Sequence, residues 1–389
     1  MSPQRTIDIE QFRPVFTDSE LDGLRQTLQH SRLPTRTFAS NQERYGITYD
    51  FMETALARWK NGFDWKKKEE QINSVHHYYA DVEDGGTNFK IHFIYEESKD
   101  PNAIPLLLLH GWPGSAFEFI DAIKLLRESS SPSFHLIAPM EPGYGWSSPP
   151  PLDRGFGTDD VASIMHSLMC SLGFENGYAI QGGDIGSLLA RKMALKYESV
   201  KCIHLNYLPA VEPEDGSLKK QVKPHEQRSL NRSEEFQKTG RAYALAHGTR
   251  PGTIGFTVGS SPISLLAWLA EKYRDWTDET PSVDEILAIA TFWWLRDSFP
   301  SSIYAYHELL FSGVSFIHND QANYLHKPFG YSAFKQEISC TPEAWVGVNG
   351  NCQFYRYNDK GGHFPSMEQP EQFAKDMKDC FGKIWVPDT

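Results

Sequence analysis

The stretch Gln181-Gly182-Gly183-Asp184-Ile185-Gly186-Ser187 decides how this chain is read. The apolar run Tyr178-Ala179-Ile180 leads into it with strand character, and a helix-like run over 188–197 leaves it. Between them lies Gly-x-Asp-x-Gly, the form of a nucleophile elbow, a strained strand-to-helix turn that lifts one side chain above a sheet. Small residues are needed at Gly182 and Gly186 because strand and helix nearly touch there, and only neighbours without bulk let the central residue take an unusual backbone conformation. Most elbows carry Ser at the centre; a carboxylate there needs no deprotonation and can attack carbon to form an ester. An ordinary glycine-rich strand–helix turn with Asp184 as helix N-cap would look the same locally. The rest of the chain has to separate the two.

Upstream, Phe89-Lys90-Ile91-His92-Phe93-Ile94-Tyr95 reads as a strand. Pro105-Leu106-Leu107-Leu108-Leu109 reads as a buried one, because it is apolar without a break. It ends in His110-Gly111-Trp112-Pro113-Gly114-Ser115. A further strand over 134–139 runs into the Gly/Pro loop Glu141-Pro142-Gly143-Tyr144-Gly145-Trp146-Ser147, and Thr158 opens a helix that Gly173 stops. Downstream, 202–207 is another strand. Strands alternating with helices imply an α/β fold with a largely parallel sheet and right-handed crossovers. The rhythm breaks at Pro209, and the chain is helical and polar to about Gly313. A helical insertion after a sheet strand reads as a lid over the strand ends, where open α/β sheets bind ligands. The sheet resumes at about 328–334 and at 352–357, Gly361-Gly362-His363-Phe364 follows, and an amphipathic helix closes the chain.

Residues 1–95 are mixed. Thr17-Asp18-Ser19-Glu20 has capping-box form ahead of Leu21, Leu24 and Leu28 at helical spacing, and 52–60 reads as a second helix. Lys66-Lys67-Lys68-Glu69-Glu70 reads as a solvated face, Trp59 and Trp65 as anchors onto a larger body, and His76-His77 as structural.

A length of 389 residues suits one large α/β domain with an insertion. The net charge of −12 argues against nucleic acid and anionic membranes as partners, and fits a small neutral or apolar ligand. Met1-to-Pro14 is polar, without the apolar core of a signal peptide, and no run approaches a membrane span. The five cysteines are scattered and odd in number, as expected for a reducing compartment, so a soluble cytoplasmic protein is expected and the sequon at Asn231 reads as chance. His225-Glu226 and His307-Glu308 do not complete a zincin motif.

Asp184, a later acid and a His after the last strand stand in the chain order of the α/β-hydrolase triad. His363 is the natural base, and the loop after 105–109 is where an oxyanion-hole amide belongs. On the motifs at 110–115, 182–187 and 361–364, the chain closely resembles, over nearly its whole length, the fungal soluble members of the microsomal-type epoxide hydrolase family. The resemblance implies an α/β-hydrolase fold with an N-terminal meander (1–95), a core in two parts (96–208 and 316–389) and a helical lid (209–315). It implies Glu337 as the triad acid, with Glu343 as the alternative, and two lid tyrosines, Tyr243 and Tyr306, with Tyr304 as the alternative to the second.

The chemistry then implied is hydrolysis of an epoxide to a vicinal diol without metal or organic cofactor. Tyr243 and Tyr306 hold the epoxide oxygen, Asp184 attacks a ring carbon, and His363, oriented by Glu337, activates water against the ester. Backbone amides of Trp112 and Ile185 would hold the oxyanion, and Trp112, Ile185 and Phe364 would border the substrate. The fungal relatives suggest a homodimer. A haloalkane dehalogenase shares the Asp elbow and His but leaves two lid tyrosines unexplained, since halide departs without a proton. A silent binding protein on the same scaffold would have no need of all five side chains.

Overall fold

In a computed structural model, which describes residues 4–209, 212–311 and 323–386, nine strands form one sheet in the order β1-β2-β3-β5-β4-β6-β7-β8-β9. They are β1 Ile9–Phe12, β2 His77–Asp84, β3 Thr87–Glu96, β4 Ile104–Leu109, β5 Phe134–Pro139, β6 Tyr178–Gly182, β7 Val200–Leu205, β8 Leu325–Phe334 and β9 Gly350–Asn358. β1, β2 and β3 pair antiparallel, as do β3 and β5; the pairs from β5 through β4, β6, β7, β8 and β9 are parallel. β4 sits at the centre, with Leu107 opposite Ile137 on one side and Ile180 on the other. All six of its residues are buried, because helices cover both faces of a parallel sheet.

The alternating part of the chain follows its sequence pattern, with boundaries shifted by a few residues. β1 and β2 were not expected. β1 is a four-residue edge strand, and β2 mixes buried positions with the exposed acids Asp81 and Glu83, so neither carries a clear apolar run. The capping box is formed: Thr17 Oγ1 accepts from Glu20 N at 3.2 Å, and Glu20 Oε2 accepts from Thr17 N at 2.7 Å.

The charged run is not wholly a solvated face. It lies on the helix Trp65–Ile72, where Lys66, Lys67 and Glu70 are exposed but Glu69 turns inward. Its Oε2 accepts from the Trp65 indole at 3.2 Å and from Phe16 N at 3.3 Å, so the acid ties two parts of the N-terminal segment together. His77 Nε2 faces the Ile72 carbonyl at 2.9 Å and its Nδ1 faces His92 Nε2 at 3.1 Å.

Between 212 and 311 the described chain is helical, without a strand. The end expected for the lid, near 315, lies outside the described residues. These helices are strapped to the N-terminal segment: Trp59 donates to Thr291 Oγ1 at 3.0 Å, and Arg58 holds Asp284 through two hydrogen bonds of 2.7 and 2.6 Å. No single helix among the described residues is long and apolar enough to cross a membrane.

Candidate active site

The turn after β6 is strained where a nucleophile elbow is strained. Asp184 has φ of 47°, one of two non-glycine residues with positive φ among those described. A Cβ at Gly182 would stand 2.2 Å from the Gly186 carbonyl oxygen, and one at Gly186 would stand 2.3 Å from that of Leu109. No side chain fits at either position, so β6, the helix Asp184–Lys196 and the end of β4 meet backbone to backbone. This close approach lifts Asp184 off the sheet toward the loop that follows β4. There Asp184 Oδ1 accepts from Trp112 N at 2.8 Å, and Gly111 leaves the room, since a Cβ on it would lie 2.3 Å from the same oxygen. Ile185 is the second residue of that helix, in the first turn, where N–H groups lack intrahelical acceptors.

His363 follows β9. Its backbone N–H donates to the Trp276 carbonyl at 2.9 Å, and a Cβ at the adjacent Gly362 would lie 2.4 Å from that oxygen. The ring Nδ1 lies 2.6 Å from Glu337 Oε1, and Nε2 stands 3.4 Å from Asp184 Oδ2. Glu337 is fully buried beyond the end of β8 and also accepts from Ile338 N at 2.6 Å, which fixes its carboxylate. Glu343, the alternative acid, lies on a half-exposed turn paired with Lys223. Burial disfavours the charged imidazole, but Glu337 and Asp184 on either side outweigh it and raise His363 from 6.5 to about 10.

Across from Asp184, Tyr243 on the helix Ala242–Thr249 and Tyr306 on the helix Tyr304–Phe311 meet edge-on, their rings 5.7 Å apart at 77°. Burial, with the Asp184 charge adding to it, pushes both phenols above their usual range, so both keep their protons. Tyr304 faces elsewhere, with its ring edge-on to Phe156 at 5.1 Å.

A cavity of about 250 Å³ opens over Asp184, lined by Ile185, Phe236, Tyr243, Tyr306 and Leu309 among others. A family model described as epoxide hydrolase N terminus matches residues 9–119, and one described as alpha/beta hydrolase fold matches 104–247. Epoxide hydrolase 1 of Sus scrofa is 31% identical across 97% of this chain and 89% of its own length. The chain belongs to the epoxide hydrolase family. The solved Aspergillus niger epoxide hydrolase is 37% identical and superposes with a TM-score of 0.91 over 98% of both chains. Juvenile hormone epoxide hydrolase of Bombyx mori is 25% identical, with a TM-score of 0.86 over 98% of this chain and 95% of its own.

This epoxide hydrolase thus has the α/β-hydrolase fold and is an enzyme that hydrolyses epoxides. Of the three residues expected to border its substrate, Ile185 lines the cavity. The ring of Trp112 is covered by Tyr243, stacked at 5.3 Å, and Phe364 packs on Tyr273 at 4.5 Å behind His363. Phe236, Leu309 and Ile338 reach the cavity unexpectedly. They come from segments far apart in the chain and carry no local motif. Tyr207, also on the cavity wall, stands edge-on to the His363 ring at 5.6 Å.

Proposed function

We propose that this epoxide hydrolase works through an ester of Asp184. Tyr243 and Tyr306 hold the epoxide oxygen by hydrogen bonds. The free oxygen Oδ2 of Asp184 attacks a ring carbon and the ring C–O bond breaks. Its electron pair goes to the epoxide oxygen, which takes a proton from one of the two phenols.

Ester formation removes the Asp184 charge, one of the two that hold a proton on His363. His363 then gives up its Nε2 proton, through water, to the phenolate left by ring opening, and the neutral imidazole becomes the base for the second step. It takes a proton from water, and the hydroxide attacks the ester carbonyl. The amides of Trp112 and Ile185 hold the resulting oxyanion. Collapse expels the diol oxygen, which takes the proton from His363. The Asp184 carboxyl, now carrying an oxygen from water, passes its proton to His363, which restores the resting pair. Glu337 keeps Nδ1 protonated and Nε2 free.

The single observation that carries this assignment is that Asp184 Oδ1 is held by Trp112 N at 2.8 Å while Oδ2 faces His363 at 3.4 Å. One oxygen is already seated in the position of an ester carbonyl, and the other is free to attack. Apolar walls (Ile185, Phe236, Leu309) suit a small neutral or apolar epoxide. Intact-mass measurement after mixing with an aryl epoxide tests it. His363→Gln should gain the mass of one epoxide and hold it, and Asp184→Asn should gain nothing. An Asp184→Asn protein with normal turnover would rule the assignment out.

A further inference from the structure

Beneath Tyr243 lies a buried lysine that the chemistry above does not use. Lys272, in the last turn of the helix Pro262–Asp275, is 3% exposed. Its Nζ stands 4.4 Å from the centroid of the Tyr243 ring, 5.7 Å from that of Trp276 and 5.8 Å from that of Trp268. Three aromatic rings thus hold one ammonium. A cation at this distance from a ring is attracted by the negative face, and more strongly when desolvated. The neighbouring Glu271 carboxylate pairs with it, so the charge is compensated although out of water.

The cage is coupled to the site on two sides. The Trp112 ring, whose amide holds Asp184, stacks on Tyr243 at 5.3 Å and 16°. Trp276 meets His363 edge-on at 5.0 Å. Trp268 donates to His247 Nε2 at 3.0 Å, and His247, kept neutral by burial and by the Lys272 charge, stands edge-on to both Tyr243 and Tyr306. A lysine stem could have been turned outward at low cost, since exposed lysine is the ordinary state. Here the ammonium lies against one of the two rings whose hydroxyls are proposed to hold the epoxide oxygen.

We propose that Lys272 is a positioning residue for ring opening: its ammonium, caged by Tyr243, Trp268 and Trp276, fixes the Tyr243 ring and strengthens the phenol as donor to the epoxide oxygen. This rests on Tyr243 being such a donor. As the phenol O–H hands charge to the leaving oxygen, the negative potential rising on the ring is met by a positive charge already in place, so no group has to reorganise.

The test is a double-mutant cycle on the full chain, read as the single-turnover rate of ester formation with excess enzyme and an aryl epoxide, beside the rate of ester breakdown. Lys272→Met keeps the stem and removes the charge. Thermal melting checks its fold, and Lys272→Gln replaces it should it not fold. Ester formation is expected to slow roughly tenfold or more, and ester breakdown to stay within about twofold. In the Tyr243→Phe background the same change should cost little further, because the hydroxyl through which Lys272 acts is gone. An unchanged rate in Lys272→Met, or the same loss with and without the Tyr243 hydroxyl, overturns the role of Lys272 while leaving a slow Tyr243→Phe enzyme to support the tyrosine. A normal rate in Tyr243→Phe removes the tyrosine itself, and the lysine with it.

Discussion

His363 and Glu337 form a dyad sealed from water: Nδ1 and Oε1 are 2.6 Å apart, and both side chains are at most 1% exposed. With the carboxylate also bound by Ile338 N, the ring is held with Nε2 toward Asp184. Replacing Glu337 by Gln keeps the shape and removes the charge that stabilises the imidazolium. Ester breakdown should slow by about 10²–10⁴-fold, the usual weight of general-base catalysis, while ester formation changes little. Quench-flow measurement of both steps checks this; equal slowing of the two would mean that Glu337 does not act through His363.

The same dyad makes folding stability depend on pH. A histidine raised from 6.5 to about 10 in the folded state contributes stability that is fully present below pH 6.5 and is lost as pH rises through about 10. Urea unfolding across that window should show the wild type losing stability more steeply than His363→Gln. Other titrating groups act on both proteins, so the difference between the two curves isolates His363.

The two lid tyrosines should behave alike and Tyr304 should not. Losing a hydrogen bond to a charged oxygen costs about 1.5–3 kcal/mol, so Tyr243→Phe and Tyr306→Phe should each slow ester formation roughly 10- to 10²-fold. The double variant should be nearly inactive. Tyr304, edge-on to Phe156, should give a Phe variant with a normal rate. A slow Tyr304→Phe beside a normal Tyr306→Phe would move the second donor.

Gly186 is a folding constraint more than a chemical one. A methyl there would stand 2.3 Å from the Leu109 carbonyl oxygen and 2.6 Å from that of His110. Gly186→Ala should lose at least about 1–3 kcal/mol of stability, because backbone on both sides cannot yield. Thermal melting measures it, and an undisturbed melting temperature would mean that the elbow is looser than its geometry.

The parts legible in the sequence are those set by short-range rules. The elbow shows because Gly182 and Gly186 have no room for a Cβ, and β4 because a strand covered on both faces is apolar throughout. The meeting of Glu337, His363 and Asp184 was open to family resemblance but not to local pattern, since it depends on where the turns after β6, β8 and β9 point. β1 and β2 were hidden by their mixed polarity, and Glu69 by its place in a charged run. The cavity wall, with Phe236, Leu309 and Ile338, and the lysine under Tyr243 are products of packing between distant segments. No spacing rule within one helix marks them.

The covalent role of Asp184 is tested most directly by one turnover of an aryl epoxide in ¹⁸O-labelled water with enzyme in excess. The diol from that turnover should carry no label, and peptide mass analysis should find the labelled oxygen on Asp184. Label in the first diol and none on Asp184 would mean that water attacks the epoxide itself, and the ester route would be wrong.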